Sequence, residues 1–275
     1  MFYYFNAEKK FYENPVPTIK PWATATDAEI ADMLTAHYNG LIDLSTEEGW
    51  EVGSKRSIAL SAMSATGVSE SHHADSYDFV IIGHKHDDLT TPINGVTKAA
   101  ITVQLDRILY KNTTDSTYTS ENPSAEDEGG YMNSTNTNVG GWTSCARRTW
   151  CNSVFYNAVE SGIKSLIKPV VKLTSAGNQS SVINSDNDSV FLLSEIEIFG
   201  TASYSKAGEG SQYSFFTTAS NRYKKPSYTT YTSASWWERS PYGNNASNFS
   251  RVDYDGTAAT ARADRFRGLA PAFCL

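Results

Sequence analysis

The chain has 275 residues, 23 Lys and Arg against 30 Asp and Glu, a formal net charge of −7 and 40% hydrophobic residues. That length accommodates one large or two moderate domains, and scattered basic residues on an acidic chain exclude nucleic acid as the main partner, since phosphate neutralisation needs clustered Lys and Arg. No run of about 18 apolar residues exists to span a membrane, and three cysteines (Cys145, Cys151, Cys274) cannot build a disulfide framework.

Richness in Ser, Thr, Asn, Tyr and Trp suits an exposed, loop-rich β-containing protein. The segment Met1–Glu8 lacks a basic region followed by an apolar stretch, so it does not read as a signal peptide. Residues 1–21, punctuated by Pro15, Pro17 and Pro21, read as an extended arm. Its Phe2, Tyr3, Tyr4, Phe5, Phe11 and Tyr12 are too apolar for a free tail, and predict docking on another copy or another protein. Residues 22–275 read as a single domain. Thr26-Asp27-Ala28-Glu29 is a capping box, followed at helical spacing by Ile30, Met33, Leu34 and His37 and stopped by Gly40.

Arg56, Ile58, Leu60 and Ala62 alternate as in a strand, and Tyr77–Gly83 and Ala99–Leu105 follow as further strands. Thr113–Gly141 reads as a long surface loop. Residues 144–161 resume a helical pattern, with Gly162 as its stop. Val170–Leu173 and Ser189–Leu193 read as short strands, and Ser194-Glu195-Ile196-Glu197 as a second capping box opening a helix that Gly200 ends. Strands at 234–239, 248–254 and 268–274 finish the chain, the last buried as a core strand. With few helices lying among β segments, the fold class is α+β with antiparallel sheet pieces.

Chemistry-bearing motifs are sparse. His84 and His86, two apart, would share a strand face with Asp88, and with His72 they form the one cluster suited to a borderline metal, the basis of a metal-dependent enzyme reading. Against it, Asp87-Asp88-Leu89-Thr90-Thr91-Pro92 reads as a solvated turn, so no metal and no cofactor is expected. Glu126-Asp127-Glu128, and the pair Asp186 and Asp188, lack EF-hand spacing and read as solvated charge. No nucleophile elbow or phosphate-binding glycine pattern occurs. Cys145, Cys151 and Cys274 read as unpaired core thiols. Trp236 and Trp237, adjacent on a strand, would point to opposite faces, placing one of them in the core.

Six segments together carry a family resemblance: Leu60–His72 (LSAMSATGVSESH), Gly130–Ser134 (GYMNS), Trp142–Arg148 (WTSCARR), Phe191–Gly200 (FLLSEIEIFG), Trp236–Pro241 (WWERSP) and Gly268–Cys274 (GLAPAFC). The chain resembles phage and prophage proteins carrying a domain of unknown function from gut Firmicutes, which look like C-type-lectin-fold variable proteins of diversity-generating retroelements. The resemblance implies a C-type-lectin-like fold and a variable region at about 240–268, in which adenine-directed mutagenesis rewrites Asn codons. It does not imply calcium-dependent sugar binding, because only a reversed Glu121-Asn122-Pro123 is present. The fold's formylglycine-generating branch needs a reactive cysteine pair near the C-terminal site, where this chain has Cys274 alone.

These observations together predict a non-enzymatic receptor-binding protein on the exposed surface of a phage particle, at a tail tip or fibre. Its partner would be a bacterial cell-surface protein or glycan, and its arm would contact other phage structural proteins; a homo-oligomer stays open. A structural decoration protein is the other virion reading. Phe249, Val252, Leu269 and Phe273 read as core. The expected ligand-binding patch is Asn244, Asn245, Asn248, Asp253, Tyr254, Thr260, Ala261, Arg262, Asp264, Arg265, Phe266 and Arg267, with Tyr254, Arg262, Arg265, Phe266 and Arg267 as anchors.

Overall fold

The structure is a computed structural model that describes residues 16–109, 129–225 and 233–275 in full, and residues 3–5 and 11–13 by backbone alone. Within the expected arm, β1 (Tyr3–Phe5) pairs antiparallel with β2 (Phe11–Glu13). Glu126-Asp127-Glu128 and Glu121-Asn122-Pro123 lie outside the described residues.

Helix α1 (Asp27–Tyr38) forms as its capping box requires. The Glu29 N–H donates to Thr26 Oγ1 at 3.2 Å, and the Thr26 N–H donates to Glu29 Oε2 at 2.8 Å. Its Ile30, Met33, Leu34 and His37 are buried. Strands β3 (Lys55–Leu60) and β4 (Asp75–His84) follow. The stretch expected to be a solvated turn is instead β5 (Asp88–Ile93). It turns through Asn94-Gly95, both at positive φ, into β6 (Val96–Lys98), the turn chemistry of a tight hairpin. Strand β7 (Ile101–Leu105) is buried along its whole length.

Helix α2 (Ala146–Trp150) runs through a π-helical turn at Cys151–Phe155 into α3 (Tyr156–Ala158). Gly162 does not stop this helix. Val159, in extended backbone, ends it, and Gly162 lies inside the next helix, α4 (Ser161–Leu166), where a side chain would collide with Asp27. Strands β8 (Val170–Ser175), β9 (Ile183–Asp188) and β10 (Val190–Phe191) lead to α5 (Glu195–Phe199), whose capping box and left-handed Gly200 match the sequence signals. The chain closes with β11 (Trp236–Pro241), β12 (Asn248–Val252), β13 (Ala258–Arg262) and β14 (Ala272–Cys274).

The architecture is α+β; the described strands pair antiparallel, and Trp236 adds an isolated parallel bridge to Gly268. A five-stranded sheet has the order β10-β14-β7-β4-β3, a four-stranded sheet β6-β5-β8-β9, and a three-stranded sheet β11-β12-β13. Strand β14 sits inside the largest sheet, and the Leu275 carbonyl accepts from Tyr38 Oη at 2.9 Å and the Ala100 N–H at 3.0 Å. All three cysteines are free and buried, as expected.

Candidate recognition surface

The three-stranded sheet displays the residues between the WWERSP and GLAPAFC segments. Its apolar frame is sealed: Trp236, Trp237, Phe249, Val252, Leu269 and Phe273 are all fully buried. Both tryptophans are core, not one of them, because β11 is buried on both faces. The Trp236 Nε1–H donates to the Arg222 carbonyl at 3.0 Å, and the Trp237 Nε1–H to the Gly130 carbonyl at 2.8 Å.

On this frame the expected patch divides. Asn244, Tyr254, Arg262 and Arg265 are exposed, Tyr254 by 65%. Asn245 is half-buried and shapes the turn, its Oδ1 accepting from the Ser247 and Asn248 N–H groups at 3.0 and 2.8 Å. Asn248 Nδ2 donates across the sheet to Thr260 Oγ1 at 3.3 Å. Arg262 forks onto Asp264 at 3.1 and 2.8 Å. Phe266 packs on Tyr131 with ring centroids 4.1 Å apart, and the Arg267 backbone exchanges hydrogen bonds with Gly130. Ala261 departs from expectation. It lies opposite Phe249 and is 7% exposed, so it belongs to the core side of β13 and offers no contact surface.

Asp253 is tied to a residue the sequence reading missed. Arg251 donates to Asp253 Oδ1 at 2.7 Å and Oδ2 at 3.2 Å, and Ser235 Oγ–H donates to Oδ1 at 2.9 Å. Partial burial opposes ionisation of Asp253, but these donors hold its pKa below the usual carboxylate range. The i, i+2 spacing of Arg251 and Asp253 on an extended segment was the available signal.

A second missed residue is Asn138. The stretch expected to be a surface loop is, from residue 129 on, a loop with Ser134, Thr135 and Val139 exposed but Met132 and Asn138 fully buried beneath the patch. Asn138 Nδ2 donates to the Asn245 and Asn248 carbonyls at 2.9 and 2.7 Å, and its Oδ1 accepts from the Asn178 N–H at 2.8 Å. It fixes the 245–248 turn from below.

The histidines do not converge. Lys85, at φ +49, breaks the strand between His84 and His86. His84 Nε2 bonds to the Trp50 carbonyl at 2.8 Å, His86 stacks on Tyr213 at 3.8 Å, and His72 pairs with Ser69 Oγ at 3.1 Å. Among the described residues, ligand atoms within 4.8 Å of one another are offered by His86, Asp87 and Glu197. Those two carboxylates already share a cation, since Lys172 Nζ lies 2.6 Å from Asp87 and 2.7 Å from Glu197. Burial opposes charge on Lys172, but the two carboxylates raise its pKa above the usual value, so this arrangement fits an ammonium. Asp186 and Asp188, expected to be solvated, are buried. Asp188 accepts from Trp142 Nε1–H at 2.8 Å, Arg148 Nε–H at 2.7 Å and Asn152 Nδ2–H at 3.0 Å.

Residues 108–275 match the family model described as a domain of unknown function (DUF6273). No match was found among curated proteins. None was found among solved structures.

Proposed function

The chain belongs to the DUF6273 family, and from that premise we propose that it is a non-enzymatic binding protein whose surface between Asn244 and Arg267 recognises a molecule on a bacterial cell. One observation carries the reading: chemically diverse, exposed side chains stand on a frame whose apolar members are fully buried. Tyr254, Arg262 and Arg265 project from strand ends and turns, while Phe249, Val252, Leu269 and Phe273 are sealed. Side chains at the first set of positions can change without disturbing the fold, and aromatic and guanidinium groups are the ones that dominate binding energy.

The proposal includes a C-type-lectin-like fold, supported by the mixed helix and antiparallel sheet and by the terminal strand β14 threaded through the largest sheet. It also includes an exposed position on a phage particle. The frame and the displayed set make separate demands on the gene, and that gives the test. Sequencing many copies from the source population should show substitutions concentrated at the codons of Asn244, Tyr254, Arg262, Asp264 and Arg265. Those of Trp236, Trp237, Phe249 and Phe273 should stay silent, and a reverse transcriptase with a template repeat should lie nearby. Uniform codons across 240–268 with no such repeat would overturn the diversified-binder reading and favour a decoration protein.

A further inference from the structure

A cleft of roughly 720 Å³ opens where residues 52–55, the turn after β7 and residues 214–225 meet. That volume suits a small-molecule or single-sugar ligand. Lys55, Arg107 and Lys225 line it, against one carboxylate, Asp106. Three positive groups and one negative leave a local excess of two positive charges, on a chain whose net charge is −7. Asp106 is held by Lys55 at 2.7 Å, so Arg107 and Lys225 are left unpaired by any carboxylate of the described residues. Behind the wall lies a fourth basic group, an amine that burial holds only partly charged near neutral pH. Lys224 is 1% exposed, and its Nζ donates to the Leu105 carbonyl at 2.7 Å and the Asp106 carbonyl at 3.4 Å. Charge placed in a concave site is screened less than charge on a convex surface.

Two aromatic rings share the cleft. Phe215 is held edge-on against Phe216, and Tyr223 is 47% exposed. The Tyr223 ring lies over Gly256, where a Cβ would come within 3.2 Å of Cζ. Gly256, at φ +76, belongs to the turn that presents Tyr254. Tyr223 therefore joins the cleft to the recognition surface, although every cleft residue lies outside 240–268.

We propose that this cleft binds an anionic sugar unit, its carboxylate or phosphate against Arg107 and Lys225 and its ring on Tyr223. A guanidinium fork and an ammonium match such anions, an aromatic face accepts the apolar side of a sugar ring, and the Ser214 and Ser220 hydroxyls that line the cleft suit a polyol. A nucleic acid would need a basic track longer than this one cleft. The cleft would give every variant of the displayed surface the same weak foothold on an anionic cell-surface polymer, with the displayed residues adding specificity through effective concentration.

The test is calorimetric titration of the purified full chain with oligogalacturonate (carboxylate), oligomeric glycerol phosphate (phosphate) and maltoheptaose (neutral). At least one anionic oligomer should bind and maltoheptaose should not, which of the two binds identifying the anion. Lys225→Glu and Arg107→Glu, both at exposed positions, should each weaken binding about tenfold with unchanged melting. The double variant Tyr254→Ala/Arg262→Ala should bind the oligomer as the parent does, so failure of the cleft and failure of the recognition surface read out separately. Absence of binding to both anions, equal binding of maltoheptaose, insensitivity to both charge reversals, or loss of binding in the Tyr254/Arg262 variant would overturn the proposal.

Discussion

Arg239 clasps Glu197 through two guanidinium nitrogens, at 2.5 and 3.0 Å, with the Arg239 side chain fully buried and that of Glu197 3% exposed. Lys172 reaches the same carboxylate at 2.7 Å and continues to Asp87 at 2.6 Å. Two cations and two anions thus close on one another and tie β11, the first strand of the three-stranded sheet, to α5, β8 and the residue before β5. Each charge is tolerable only because its partners are in place. Glu197→Gln leaves two buried cations facing one carboxylate, and should cost about 3–5 kcal/mol in a denaturant titration. A loss under about 1 kcal/mol would show that the quartet does not hold these elements together.

Glu238, one residue before Arg239, has no such partner. It is fully buried, and neither carboxylate oxygen has a hydrogen-bond partner. Burial first, then the neighbouring Glu195 and Glu209, push its pKa well above the ordinary value. Burial also pushes Glu209 up, to about 7, against hydrogen bonds from Ser240 and Ser175. The folded chain therefore holds protons that the unfolded chain has released. Stability from these groups is fully present below the unfolded carboxylate pKa and falls as pH rises towards the folded values. Lys224 acts in the opposite sense, since burial lowers its pKa to about 7 and its contribution to stability rises with pH above that point. Comparison with Glu238→Gln isolates the first effect. The variant should match the parent at about pH 5 and melt higher at about pH 8; an unchanged difference across that window would refute a protonated Glu238.

Local signals in the sequence were legible where short-range chemistry decides the outcome. The capping boxes at Thr26 and Ser194 and the left-handed Gly200 gave α1 and α5, and the alternation around Ile58 gave β3. What failed was long-range. Gly162 looked like a stop because a glycine after an apolar helix usually is one, yet it serves close approach to Asp27. Asp88 is exposed as expected, but Asp87 looked solvated because Lys172, which neutralises it, lies 85 residues away in sequence. Asn138 and Tyr131 do lie in a loop, but their packing was not legible because the segment they support is more than 100 residues downstream. Within the expected patch, position relative to Phe249 and Leu269 picked out the exposed Asn244, Tyr254, Arg262 and Arg265, but not Ala261, which strand pairing turns inward, nor the half-buried Asp253 and Phe266, which Arg251 and Tyr131 hold.

The buried Asn138 offers a test of how the 245–248 turn is held. Asn138→Ala removes donors to the Asn245 and Asn248 carbonyls and the acceptor for the Asn178 N–H. The Asn248 carbonyl keeps the Tyr242 N–H, and the exposed Asn178 and half-buried Asn245 can turn to water, so a loss of about 1–2 kcal/mol is expected. Hydrogen exchange should rise in residues 242–248 while β7 and β14 stay protected. Unchanged protection in that turn would mean its shape is set by Asn245 alone.

The displayed residues should be separable from the frame by stability alone. Tyr254 and Arg265 are exposed, and the exposed Arg262 meets its partner Asp264 at the surface, where ion pairs contribute little. Alanine at any of these three positions should shift stability by less than about 1 kcal/mol. Phe266 and Asp253 should behave differently although they lie in the same stretch. Phe266→Ala removes a ring packed 4.1 Å from that of Tyr131, and Asp253→Ala takes the carboxylate from Arg251, leaving it the Thr260 carbonyl and Ser235 Oγ, so each should cost about 1–2 kcal/mol. Chemical denaturation of the five single variants measures the split directly. A cost above about 2 kcal/mol at Tyr254, Arg262 and Arg265 would place those side chains in the core, and the recognition surface would have to lie elsewhere.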